Sequence, residues 1–130
     1  MRQGRDATII AMGLMVNEAL KAAQSLEQEG VDCRVLNMPT LKPIDEAAII
    51  KAAAETGAIV TAEEHLLHGG LGSEVALRLA EHCPVPMEFV ALKDTYAKSG
   101  KPGELLQRYG LTSRDIAQAV RSVIGKRKPG

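Results

Sequence analysis

The sequence predicts an α/β domain of three layers, α/β/α, with a mainly parallel open sheet between two layers of helices. Three observations carry that expectation. The chain has 130 residues, one domain's worth, and 45% of them are apolar, enough for a compact fold to bury roughly two thirds of its unfolded surface. A strand-then-helix rhythm recurs four times, and such alternation builds a parallel sheet covered on both sides through right-handed crossovers. Aromatic residues are nearly absent, Phe89, Tyr96 and Tyr109 with no Trp, so the core is aliphatic and no platform exists for stacking bases.

The first strand is the almost continuous apolar run from Asp6 to Met12, suited to burial on both faces. Gly13 turns the chain into a helix whose Val16, Ala19, Leu20, Ala23 and Leu26 recur at helical spacing, and Gly30 ends it with a left-handed residue. Cys33 to Met38 is the second strand. Pro39 and Pro43 bracket a loop, and Asp45 is placed to cap the helix carrying Ala48, Ile49 and Ala52, which stops at Gly57. Ala58 to Ala62 is the third strand. After the loop His68-Gly-Gly-Leu-Gly-Ser73, a helix is expected from about Glu74 to His82, with Val75, Leu77, Leu79 and Ala80 as its apolar side. Met87 to Leu92 is the fourth strand. Pro102 suits the first turn of a short helix through Leu105 and Leu106. Thr112 or Ser113 caps the last helix, with Ile116, Ala119, Val120 and Val123 in one stripe.

Sixteen basic and sixteen acidic residues cancel, which argues against nucleic acid or an anionic membrane as partner. The two cysteines, Cys33 and Cys83, form neither a disulfide framework nor a zinc ribbon and read as thiols in a reducing cytoplasm. The N-terminal apolar stretch is interrupted by Asp6, closed by Asn17-Glu18 and too short to span a bilayer, so it is not a signal peptide or an anchor. Charge is uneven. Seven acids lie between Asp45 and His82, nine basic residues between Cys83 and Gly130. Residues 1–125 read as the domain and 126–130 as a flexible, solvated basic tail.

In an open parallel sheet ligands favour the carboxyl ends of strands, which singles out Gly13, Met38 to Leu41, Glu63 to Ser73 and Asp94 to Gly100. The richest of these is Glu63-Glu64-His65 with the glycine loop, where Gly69, Gly70, Gly72 and Ser73 precede a helix start able to favour an anion. The two adjacent carboxylates point to opposite faces and do not form a matched acid/base pair. At short range they repel an anion by about 1 kcal/mol each. They suit instead a contact with the basic half of the chain or with a neighbouring subunit. The loop therefore reads as a structural and interface element in preference to a phosphate site. The dinucleotide fingerprint, the P-loop and the nucleophile elbow all fail on residue identity, and His65 with His68 lacks a spaced third metal ligand. His82 at a helix end fits a cap and dipole role. No catalytic, cofactor-binding or metal-binding residue is assigned.

The segments Gly4-Arg-Asp-Ala-Thr-Ile-Ile-Ala-Met-Gly13, Leu36-Asn-Met-Pro-Thr-Leu-Lys-Pro-Ile-Asp45, Ile59-Val-Thr-Ala-Glu-Glu-His65 and Gly69-Gly-Leu-Gly-Ser73, in this order and spacing, resemble the transketolase C-terminal domain over nearly the whole chain. That family closes transketolases, deoxyxylulose-phosphate synthases and the beta subunits of 2-oxo-acid dehydrogenases. Asp94-Thr-Tyr-Ala-Lys-Ser-Gly100 and Tyr109-Gly-Leu111 resemble the transketolase ending, with Tyr96 where Phe is usual. The Ser99-Gly100 pair in place of His-Gly leans away from the synthases, and the lack of a proline-rich end leans away from the dehydrogenases.

The resemblance implies four to five strands, with the parallel ones ordered second, first, third, fourth. The second would be an edge because its usual antiparallel neighbour is truncated. It implies a ketol transferase that binds thiamine diphosphate and a divalent metal (Mg or Ca) through other domains. The Gly-Asp-Gly motif of that site is absent here. It further implies partnership with those domains or an N-terminal subunit, a homodimer, and a chain inactive alone, read as an excised fragment whose Met1 is artificial. The alternatives are a synthase or dehydrogenase domain, or a free-standing module for a small anion.

Overall fold

The computed structural model describes residues 2–39, 44–66, 70–92 and 112–127, with the backbone alone for 64–66 and 92. Four strands form one sheet, β1 (Ala7–Ala11), β2 (Cys33–Asn37), β3 (Ile59–Leu66) and β4 (Met87–Leu92), in the order β2-β1-β3-β4. Every pairing among them is parallel, with Ile9 opposite Val35 and Val60. The α/β expectation and its strand order therefore hold. β1 is central and all five of its residues are buried, which is why its sequence is apolar without alternation.

Successive β1 residues serve opposite layers. Ala7, Ile9 and Ala11 pack with α1 (Met15–Glu27) and with the last helix (Ser113–Lys126, α4 below). Ile10 packs with α2 (Glu46–Thr56) and α3 (Leu71–His82). In α1 the buried set is Met15, Ala19, Ala22, Ala23 and Leu26, and Val16 and Leu20 sit at its margin. In α4 it is Ile116, Ala117, Val120 and Val123. The small side chains of α1 let α4 come close, and the two helices share one aliphatic cluster.

Two boundaries differ from expectation. β3 continues four residues beyond Ala62, and α3 begins at Leu71, three residues before Glu74. The buried side of α3 is consequently Leu71, Gly72, Val75 and Leu79, while Leu77 is 51% exposed and Ala80 lies in solvent. Spacing of four residues keeps 71, 75 and 79 on one face, whereas 77 falls almost opposite. Asp45 caps α2 as expected, accepting the Ala48 N–H at 3.1 Å, and Gly57 ends it at φ +72°.

β2 holds the edge position, yet it is not bare. Arg2 meets Val35 in a single antiparallel bridge, with N···O distances of 3.2 and 2.9 Å. Arg34 Nε donates to the Gly4 carbonyl at 3.1 Å while its Nη1 pairs with Glu55 at 2.7 Å. Gly4 is needed there, because a Cβ would lie 2.3 Å from the Cys33 carbonyl carbon. At the far end, Lys126 pairs with Glu88, and Arg127 Nη1 donates to the carbonyls of Asp6 at 2.8 Å and Thr56 at 3.2 Å. The first two residues of the expected tail are thus engaged with the domain. Residues 128–130, the expected helix after Pro102 and the Asp94 to Gly100 segment lie outside the described residues.

Candidate functional site

The helix start that the sequence offers to an anion already holds one. Glu63 is fully buried on β3, and its Oε1 accepts the Leu71 N–H at 2.7 Å while its Oε2 accepts the Gly72 N–H at 2.6 Å. The first N–H groups of a helix have no partner inside it and attract negative charge. Gly70, the residue before α3, has extended backbone and no side chain with which to cap it. The cap therefore comes from the neighbouring strand, through two short charge-assisted bonds. Glu63 is thus itself the carboxylate bound at the helix start of this loop.

Of the other candidates, Gly70 and Gly72 are buried at the same helix start and Ser73 is half-buried in the first turn. Glu64 and His65 continue the β3 backbone, and their side chains lie outside the described residues, as do Gly69 and His68. The structure thus brings together Glu63, Gly70, Gly72 and Ser73.

Two carboxylates also close the start of α4. The Asp115 carboxylate accepts from the Thr112 N–H at 2.9 Å and the Thr112 hydroxyl at 2.6 Å, while Glu18 of α1 accepts the Ser113 N–H at 2.9 Å. The Glu18 contact is one that sequence spacing does not reveal, since it joins residues 95 apart. Arg121 grips Glu29 at the end of α1 with Nε and Nη2, at 3.0 and 2.6 Å. That hydrogen-bonded guanidinium holds the Glu29 carboxyl below the usual carboxylate range. His82 stands 3.2 Å from Glu46, tying the end of α3 to the start of α2.

Burial pushes the Cys33 thiol up to about 12, although the nearby Arg2 charge acts in the opposite sense. A thiol held protonated in this way is a poor nucleophile. Among the described residues no group of three His, Cys, Asp or Glu side chains is placed to hold a metal ion. A diphosphate with its divalent metal needs both free anion donors and such ligands. At the α3 start the Leu71 and Gly72 N–H groups are taken by Glu63 and are not free for such a group. Among the same residues no helix is long and apolar enough to cross a membrane.

Residues 1–116 match the family model described as the transketolase, C-terminal domain. The chain is 45% identical to a 6-deoxy-6-sulfo-D-fructose transketolase subunit of a Clostridium species, over 95% of this chain and 38% of the relative. It is 44% identical to a 1-deoxy-D-xylulose-5-phosphate synthase of Heliobacterium modesticaldum, over 95% of this chain and 19% of the relative. A solved structure described as a split gene transketolase, inactive beta4 tetramer, superposes with a TM-score of 0.93 at 45% identity, covering 98% of this chain and 42% of that one. The chain spans less than half the length of each of these relatives. Taken with the parallel β2-β1-β3-β4 sheet, the matches show that this chain belongs to the transketolase C-terminal domain family.

Proposed function

We propose that the chain is the C-terminal domain of a complete transketolase that moves a two-carbon ketol unit from a ketose phosphate to an aldose phosphate. In this reading thiamine diphosphate and a divalent metal, Mg or Ca, sit on the other domains. The present chain supports assembly of a homodimer and is inactive alone. The observation that carries the reading is the match of residues 1–116 to the transketolase C-terminal domain, and the Glu63 clamp supports it by occupying the N–H groups at the start of α3. The solved relative described as an inactive tetramer of beta chains supports inactivity without partners. Two free thiols, Cys33 and Cys83, support a reducing cytoplasm.

Calorimetric titration of the purified chain with thiamine diphosphate and magnesium is expected to give no binding, and micromolar affinity would overturn the proposal. Adding the missing transketolase domains is expected to give ketol transfer. The synthase relative, at 44% identity, favours a second reading. Formation of 1-deoxy-D-xylulose 5-phosphate by the complete enzyme, in place of ketol transfer, would move the chain to that branch.

A further inference from the structure

At the amino edge of the sheet, far from the α3 start, lies an open hollow of about 400 Å³. Its lining among the described residues is Gly57, Pro84, Val85, Pro86, Lys126 and Arg127. Three places in the chain meet there, the stop of α2, the approach to β4 and the end of α4. The Pro86 carbonyl accepts the Ile59 N–H at 3.1 Å, and Val85 packs against the cluster under α2 and α3. Two prolines with locked φ stiffen this apolar floor. The rim carries charge that is not balanced. Lys126 is paired with Glu88. Arg127 donates through Nη1 to the carbonyls of Asp6 and Thr56, and its guanidinium meets no carboxylate among the described residues. Its stem lies over Gly57, where a Cβ would stand 3.3 Å from Cδ. Capping the carbonyl end of α2 accounts for the Nη1 bonds. It leaves Nε and Nη2, the edge that grips a carboxylate with two parallel bonds, without an acceptor among the described residues.

We propose that this hollow is a binding site for a small organic monocarboxylate with an apolar body. Its volume falls within the range of small-molecule pockets, roughly 300 to 1,000 Å³. Charge selects the ligand's head group. Lys126 and Glu88 cancel, so Arg127 supplies the one uncompensated positive charge of the rim. A single carboxylate matches it, whereas a phosphate dianion would bring a second negative charge toward Glu88. The guanidinium is already held by two carbonyls, so little ordering remains to be done when the ligand arrives. The carboxylate seats on Nε and Nη2 of Arg127, and the apolar body lies on Pro84, Val85 and Pro86. The site is separate from the Glu63 clamp, and it does not depend on which branch of the family the complete protein belongs to.

The test is an NMR titration of the full chain that follows backbone amides and arginine side-chain N–H groups. The probes are benzoate, benzamide with the same body and no charge, acetate with the charge and almost no body, and inorganic phosphate. Benzoate is expected to shift the Gly57 and Val85 amides and the Arg127 Nε–H, and to bind roughly tenfold more tightly than each of the others. No binding up to the solubility limit of benzoate, or shifts confined to other regions, would overturn the proposal. Benzamide or acetate equal to benzoate would do the same, by removing the need for the charge or for the floor. Phosphate tighter than benzoate would make this a general anion site and defeat the ligand class. Arg127→Gln is expected to weaken benzoate roughly tenfold. That variant also loses a cap on α2, so Pro84→Glu is measured beside it. Pro84 is exposed, its replacement leaves Arg127 and its carbonyl bonds in place, and the new acid faces the ligand carboxylate. A comparable loss of benzoate affinity is expected, and unchanged affinity in either variant counts against the site.

Discussion

Glu63 and Gly72 are bonded at 2.6 Å across nine residues, carboxylate to amide, so β3 and the start of α3 are tied directly to each other. Removing the carboxylate in Glu63→Ala leaves the Leu71 and Gly72 N–H groups buried without that acceptor. A loss of about 3 to 5 kcal/mol in urea-measured stability is expected. Glu63→Gln keeps one acceptor and sets an amide donor against the other N–H, and a loss of about 2 kcal/mol is expected. A change below 0.5 kcal/mol in both would remove the clamp from the account.

Alkaline pH is expected to weaken the fold through Cys33. The ordinary thiol ionises near 9.0, whereas the buried one holds its proton to about 12. Below the first value both states are protonated and stability does not depend on this group. Between the two the unfolded chain releases a proton that the folded chain keeps, so stability falls as pH rises. The full gap is worth roughly 4 kcal/mol. Urea midpoints measured from pH 8 to 11 should fall less steeply in Cys33→Ala than in the parent chain.

Glu29 and Arg121 supply the opposite sign at low pH. The arginine holds the Glu29 carboxyl below the usual range, so this pair contributes above the ordinary carboxylate pKa. The contribution is lost as pH falls through the lowered folded value. In a carbon-detected NMR titration, Arg121→Ala is expected to return the Glu29 midpoint upward to the ordinary range. Salt should diminish the difference, because both side chains face solvent. An unmoved midpoint would show that another group sets it.

Much of this fold is legible in the chain. The apolar run at Ala7–Ala11, Asp45 as a cap and Gly57 as a stop are local signals, and each predicts the element that the structure contains. The α3 boundary was not legible, because its cap is not local. Gly70 offers no side chain, and nothing in the loop says that Glu63, eight residues before Leu71, will reach it. A carboxylate beside a glycine loop looks from sequence like a reason for anions to stay away. In the fold it is the anion. Leu77 failed for a different reason, since it stands two residues from both Val75 and Leu79 and so falls almost opposite the face they share.

Gly4→Ala tests the edge of the sheet. The added Cβ would stand 2.3 Å from backbone at Cys33, so the segment from Arg2 to Asp6 has to move. Overpacking of this kind costs about 1 to 3 kcal/mol. The Arg2–Val35 bridge and the Arg34 bond to the Gly4 carbonyl should open with it. Faster amide exchange at Val35 is the expected observation, and unchanged protection there would show that the edge is held by other means.

The bond from Arg127 to the Asp6 carbonyl joins positions 121 apart in the sequence. The residue that leads into β1 and the residue that follows α4 therefore meet at one corner of the sheet. A polypeptide can enter and exit such a unit without threading through or around it. The same proximity allows the two extremities to be spliced by a short linker and new ones opened elsewhere, with every strand still in register.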